Sequence, residues 1–218
     1  EAGRGHTTVA SEEGLSAELK TLADVETTYE FIRADNVEKR YQLIEELSQA
    51  PAFCFDLETN SLDEKTASII GIAFSHQTNK ASYVEIPLGD EAAAALEPFR
   101  DLFADSSREK IGHNLKFDIG VLQWQGFTVA TPVFDTMLAH TLIEPDQRHK
   151  MDYLAESILG YKPIAYDEVF AKADETSGQM SLFGEEEMSG EGEDVGPSFE
   201  AIAEYACEDA DVTWQLAE

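Results

Sequence analysis

Apolar residues fall into short runs separated by polar, turn-forming residues, and the spacing of the runs changes along the chain. Thr27 to Ile32 has the pattern of a first strand. Asp35-Asn36 then supplies a cap for an amphipathic helix from Val37 to Ser48, with Tyr41, Leu43, Ile44 and Leu47 as its apolar members. Three apolar runs follow at Phe53 to Leu57, Ile69 to Phe74 and Tyr83 to Ile86, bounded by groups such as Thr59-Asn60-Ser61 and Gln77-Thr78-Asn79. Runs of that length between turn signals predict an antiparallel meander. A helix from about Glu91 to Phe103 comes next, then a short strand at Lys110 to Gly112. Helices are expected at Leu115 to Gln125, Phe134 to Ile143, Tyr153 to Leu159 and Phe199 to the end. Strands first and helices after predict an α/β fold with a mixed sheet and helices packed against it.

Two stretches break this pattern. Residues 1–25 are rich in Gly, Thr, Ser and Glu and read as a flexible tail or linker, leaving 26–218 as one domain. Within it, residues 174–196 hold eight acidic residues and five glycines with no Lys or Arg, which predicts a mobile acidic loop. No apolar run is long enough to cross a membrane, and no signal-peptide pattern is present, so a cytoplasmic protein is expected. Cys54 and Cys207 lack the spacing of a zinc or redox motif and are expected to be reduced and buried. The chain starts at Glu1 and stops inside a helical pattern, as a piece cut from a longer protein would.

Charge changes the picture. Fifteen Lys and Arg face 44 Asp and Glu, a net charge of −29. A free-standing nucleic-acid binder needs a basic face, because neutralising phosphates supplies most of its affinity. Composition by itself argues against that class, so any such function has to rest on specific motifs.

Three segments carry candidate chemistry. In Phe53-Cys54-Phe55-Asp56-Leu57-Glu58, Asp56 and Glu58 are two apart and share one face of a strand. Two carboxylates side by side there either mark the end of the strand, where both reach water, or await a cation. Asp118 follows Gly112-His113-Asn114-Leu115-Lys116-Phe117 at the start of a helix; Asn114, one turn earlier, shares its face or serves as the N-cap. Tyr205 and Asp209 are four apart on the last helix, a spacing equally suited to a structural Tyr–Asp hydrogen bond. Glu208 and Asp211 point to other faces and are expected to be solvated. Together, four carboxylates from three segments form an all-oxygen donor set suited to magnesium or manganese. Two such ions can clamp the attacking and leaving oxygens of a phosphodiester displacement.

Asp56-Leu57-Glu58-Thr59, Asn114-Leu115-Lys116-Phe117-Asp118 and Tyr205-Ala206-Cys207-Glu208-Asp209 resemble the three exonuclease motifs of the DEDD superfamily, in its tyrosine branch. The stretches Phe134-Asp135-Thr136-Met137-Leu138, Arg148 to Glu156 and Glu208 to Thr213 are similar to the proofreading domain of bacterial family A DNA polymerases. The resemblance runs from about Thr27 to the C-terminus and lapses in the acidic loop. It implies an RNase H-like fold, a mixed five-stranded sheet flanked by helices. It also implies 3′→5′ hydrolysis of DNA with release of nucleoside monophosphates, using two divalent ions, Mg2+ or Mn2+. Carried over, Asp56, Glu58 and Asp209 hold one ion, Asp56 bridges to the second, and Asp118 holds that one through water. Tyr205 orients the attacking water. Thr59, Leu62, Asn114 and Tyr166 match residues around the terminal nucleotides, although Leu62 and Tyr166 taken alone would read as core packing. His113 stands where the family has glutamine, and the acidic loop is longer than in the family.

The partners so implied are a single-stranded or frayed DNA 3′ end and a polymerase domain of the same chain, which would supply the basic cleft. A monomer in a bacterial cytoplasm is expected. Three other readings remain: a ribonuclease D-like exoribonuclease sharing the Tyr-x-x-x-Asp motif, a module that only braces a polymerase, and an acidic patch that binds cations or basic proteins.

Overall fold

The computed structural model describes residues 19–174 and 197–218. Six strands form one sheet: β1 (Thr28–Ile32), β2 (Ala52–Thr59), β3 (Ile69–Gln77), β4 (Lys80–Glu85), β5 (Glu109–Gly112) and β6 (Val133–Asp135), in the order β1-β4-β3-β2-β5-β6. β3 runs antiparallel to both β2 and β4, which is the expected meander. β1 joins β4, β5 joins β2, and β6 joins β5, all parallel.

Strand alternation sorts side chains to two faces. Phe53, Phe55 and Leu57 of β2, with Phe74, Val84 and Ile86, face the larger core. There they meet α1 (Val37–Gln49), α2 (Ala92–Leu96), α3 (Arg100–Ala104) and α4 (Lys116–Trp124) through Leu43, Leu47, Leu96, Phe103, Val121 and Leu122. The Phe103 ring sits edge-on to both Phe53 and Phe55, at 6.0 and 4.9 Å between centroids. The opposite face presents Ala73, Ala81 and Tyr83 to α8 (Phe199–Ala217). That helix packs with Ala203, Ala206, Cys207 and Ala210, small residues that bring its axis close to the sheet. α5 (Thr136–Ile143), α6 (Met151–Leu154) and α7 (Tyr166–Asp174) complete the order.

Several expectations need correction. The sheet has six strands rather than five. The extra one, β6, is only three residues long and occupies the start of what reads as a helix from Phe134; a run so short carries no period of its own. The expected helix from Glu91 to Phe103 is divided into α2, a 3-10 turn at Glu97–Phe99 and α3, with Pro98 in that turn. α7 is an element the apolar pattern does not announce. Residues 1–18 of the expected tail, and the expected acidic loop beyond Asp174, lie outside the described residues. From Lys20 the chain is tied by backbone bonds, Lys20 N–H to Gly160 O at 3.0 Å and Lys162 N–H to Lys20 O at 2.7 Å.

Glu208 and Asp211 are not solvated: they are 0% and 2% exposed. Glu208 accepts hydrogen bonds from the Tyr161 hydroxyl and from Ile164 N–H (2.7 Å), pinning the 160–164 segment to α8. Asp211 accepts from the Tyr29 hydroxyl (2.9 Å), Asn79 N–H (2.8 Å) and Gln215 Nε2 (3.1 Å), pinning α8 to the β1 edge and the β3–β4 turn. Helical periodicity turns them away from Tyr205 and Asp209, but other parts of the chain wrap those faces. Both cysteines are buried free thiols. Among the described residues no helix is long and apolar enough to cross a membrane.

Glu208→Ala strands the part-buried Ile164 N–H and the Tyr161 hydroxyl, so it should lower unfolding free energy by about 2–4 kcal/mol in urea titrations. The neighbouring exposed acid changed in Glu204→Ala should cost under about 0.5 kcal/mol. Equal effects would show that Glu208 holds nothing.

Candidate active site

β2 alternates across the sheet. With Phe53, Phe55 and Leu57 committed to the larger core, Cys54, Asp56 and Glu58 must face α8. Cross-strand neighbours of the two carboxylates are the small residues Ala73 and Gly71. At Gly71 the space is taken by the Tyr83 ring, which a Cβ there would overlap. Just past Glu58 the β2–β3 register shifts, so regular pairing ends beside the second carboxylate.

α8 lies over this patch and supplies Tyr205 and Asp209, one turn apart. Asp118 arrives from α4, in its first turn and 6% exposed, and its Oδ1 accepts the N–H of Leu57, between the two β2 carboxylates, at 3.2 Å. The structure thus brings Asp56, Glu58, Asp118, Tyr205 and Asp209 together from three elements.

Their ionisation shows how close the grouping is. Burial raises Asp56 to about 7. Burial, then the negative charges of Asp56 and Asp118, raises Glu58 to about 8. Asp118 and Asp209 are pushed well above the usual carboxylate range, by burial first and by Asp56 next. The Leu57 N–H offsets part of the rise at Asp118, and the Tyr205 hydroxyl part of that at Asp209. Tyr205 is itself driven far upward, by burial and then by Asp209 and Glu58, so its phenol keeps its proton.

Among the described residues no three His, Cys, Asp or Glu side chains are gathered into a ready-made metal cage. The donor set nevertheless fits a hard divalent cation. All its donors are oxygens, Glu58, Asp118 and Asp209 each feel the negative charge of Asp56, and Asp209 Oδ1 is buried without a hydrogen-bond partner. A buried acceptor of that kind costs free energy until something positive meets it.

The remaining candidates are distributed around this centre. Thr59 ends β2, and its hydroxyl donates to Ser61 O at 2.9 Å. Leu62 stands in the following turn and is 75% exposed, so core packing does not describe it. Tyr166 is also exposed; its ring stacks on Phe170 (4.4 Å, 25°), and Phe170 meets Tyr205 edge-on at 5.7 Å. The sequence reading missed Phe170, whose apolar position at four-residue spacing from Tyr166 was its only signal.

Asn114 is neither the N-cap nor on the Asp118 helix face. It precedes the helix with φ of 60°, a left-handed position that Asn tolerates better than most residues. Leu115 is the N-cap, and it has no side-chain acceptor to offer. Asp135, which the sequence marks only as part of a matching stretch, instead holds the chain ahead of the helix, accepting Asn114 N–H at 3.1 Å and Leu115 N–H at 2.9 Å. His113 Nδ1 lies 2.9 Å from Thr136 Oγ1.

A family model described as 3′–5′ exonuclease matches residues 32–218. DNA polymerase I of Borreliella burgdorferi is 34% identical over 178 residues, covering 80% of this chain and 18% of that protein. DNA polymerase I of Pseudomonas aeruginosa is 29% identical over 223 residues, covering 95% of this chain and 22% of that protein. The chain therefore spans about a fifth of the length of these relatives. Among solved structures, Brucella melitensis NrnC with bound Mg2+ superposes with a TM-score of 0.58 at 24% identity, over 88% of this chain and 79% of that one. At these levels of identity the structural likeness speaks for the fold, which is RNase H-like.

The raised carboxylates make a pH dependence of definite sign. Folded Asp56 and Glu58 titrate near 7 and 8 against ordinary values of 3.8 and 4.5, so the folded state holds protons that the unfolded chain has already released. Stability from these groups is present at low pH and lost as pH rises through about 7 to 8. In chelator, the urea midpoint should fall between pH 5.5 and 8.5 (roughly the window set by those values), and Asp209→Asn should make the fall shallower. A midpoint that is flat or rises over that window would sink the account.

Proposed function

This chain belongs to the 3′–5′ exonuclease family, and from that premise we propose that it hydrolyses the terminal phosphodiester of a DNA 3′ end, releasing nucleoside monophosphates, as the proofreading domain of a longer DNA polymerase. The observation that carries the reading is the convergence of Asp56 and Glu58 from β2, Asp118 from α4 and Asp209 from α8 on one patch, with an acceptor oxygen of Asp209 left unpartnered. Relatives that are whole DNA polymerases support the attached polymerase.

Asp56, Glu58 and Asp209 are the residues that would hold one divalent ion, and Asp56 with Asp118 a second. Bound there, two Mg2+ or Mn2+ ions would supply an activated water and charge stabilisation for the leaving 3′ oxygen. The protein's own part is orientation. Tyr205, whose hydroxyl burial and then Asp209 hold toward the protonated form, would aim the attacking water by hydrogen bonding. The Leu57 N–H fixes Oδ1 of Asp118 and so orients that carboxylate. Thr59, Leu62, Asn114 and Tyr166 would line the terminal nucleotides, with the exposed Leu62 and Tyr166 able to meet unstacked bases.

The net charge of −29 fits a site that takes only a few unpaired nucleotides. Whole-surface attraction for a polyanion is lacking, so the local field must be inverted by the bound cations. The polymerase domain of the same chain would supply the basic cleft for duplex DNA. A monomer in a bacterial cytoplasm completes the reading.

A 3′-labelled single-stranded DNA should release labelled monophosphate with Mg2+ or Mn2+ and none in chelator. Asp209→Ala should reduce release by at least about a hundredfold, the scale expected when a group contacting the reacting centre is removed. Duplex DNA should bind weakly, and less still without metal. A folded, metal-loaded protein that releases nothing, or tight duplex binding in chelator, would overturn the proposal. Faster cleavage of RNA than of DNA would turn it toward a ribonuclease D-like activity, a chemistry carried by the same fold in Escherichia coli RNase D.

A further inference from the structure

Asp135 ends β6, and its carboxylate receives four backbone N–H groups from two different helix starts. Its Oδ1 accepts from Met137 (2.9 Å) and Leu138 (3.2 Å) at the beginning of α5, and from Asn114 (3.1 Å) ahead of α4. Its Oδ2 accepts from Leu115 at 2.9 Å. An ordinary N-cap needs only the first pair. The second pair reaches across the β5–β6 pairing, where Gly112 lies opposite Asp135, to a helix whose own N-cap is a leucine. Asp135 thus caps α5 and also holds the two backbone N–H groups immediately ahead of α4.

Resting on the exonuclease reading above, we propose that Asp135 is a positioning residue for the reaction: by gripping Asn114 and Leu115 it sets the seat of α4 against β2, and so the placement of Asp118 and Asn114. The connection is short. Leu115 N–H is held by Asp135, Asp118 follows three residues later, and Asp118 Oδ1 holds Leu57 N–H between Asp56 and Glu58. The left-handed backbone of Asn114 is held by the same carboxylate. Gly112 adds stiffness: a Cβ there would strike the Leu115 side chain and approach Phe55 O to 3.2 Å, so β5, β2 and the α4 start are in close contact. Loosening the Asp135 grip would leave that contact intact while freeing α4 to shift by a fraction of a turn.

Asp135→Ser separates the two roles, because serine still caps α5 but is too short to serve α4 as well. Asp135→Asn is the second variant; it keeps the shape but offers an NH2 group where one N–H needs an acceptor. Both should fold, with near-UV circular dichroism like the parent. With saturating metal, kcat on a 3′-labelled oligonucleotide should fall about 10- to 100-fold with KM changed under about threefold, as for a misplaced catalytic group. In chelator, amide exchange at Leu57 should speed up relative to Ile72 and Phe74 in the sheet centre. A merely structural cap would slow nothing beyond what lost stability explains, and Asp135→Ser would restore both. The proposal falls if Asp135→Ser keeps the parent's kcat, if Leu57 exchanges no faster relative to Ile72, or if both variants unfold. A parent protein that releases no nucleotide would instead overturn the exonuclease reading, and the Leu57 exchange alone would then decide the role of Asp135.

Discussion

The whole arrangement depends on holding four carboxylates together on the α8 face of the sheet against their own repulsion. Two like charges about 4 Å apart at an effective dielectric near 20 repel by about 4 kcal/mol, and burial adds to that. Burial lifts Asp56 to about 7; burial first, then the charges of Asp56 and Asp118, lifts Glu58 to about 8. The fold counters the repulsion with a phenylalanine-rich core on the other face of β2 and with small residues on α8 that let it approach closely. Because Phe53, Phe55 and Leu57 are locked into that core, Asp56 and Glu58 cannot turn away from one another.

Acidic residues play two distinct parts within one helix. Glu208 and Asp211 are as buried as any core residue, and each is saturated by N–H and hydroxyl donors from distant segments. They fasten α8 at two places. Asp209, between them, has a buried oxygen with no donor at all. Satisfied acids on either side hold an unsatisfied one in place, which is how a chain can keep a strained grouping without unfolding. Asp135 extends the same pattern: one carboxylate, four backbone donors, two helices joined.

The acidity of the chain and its nuclease family then cease to conflict. A site for a few unpaired nucleotides needs a local field and a set of aimed groups rather than a basic surface, and bound cations would reverse the field where it matters. In the proposed function the exposed Leu62 and Tyr166 would meet unpaired bases, the Tyr166 ring by stacking, with no need of opposite charge.

The sequence alone determined the meander, the sharing of one face by Asp56 and Glu58, the one-turn spacing of Tyr205 and Asp209, and through its motifs the family. Those are local matters, fixed by periods of two and of about four residues. Tertiary structure decided the rest. A three-residue strand such as β6 exists only because β5 offers it an edge, so its residues read as helix until that edge is known. Glu208 and Asp211 look solvated on a helical wheel, because nothing local says that Tyr161, Ile164, Tyr29 and Asn79 will cover them. Asn114 reads as a cap because the residue that holds the start of this helix, Asp135, lies 20 residues from Leu115 along the chain and meets it only across a strand pairing. Side-chain periodicity tells where a residue faces; which distant donor or acceptor waits there is settled only when the chain has closed on itself.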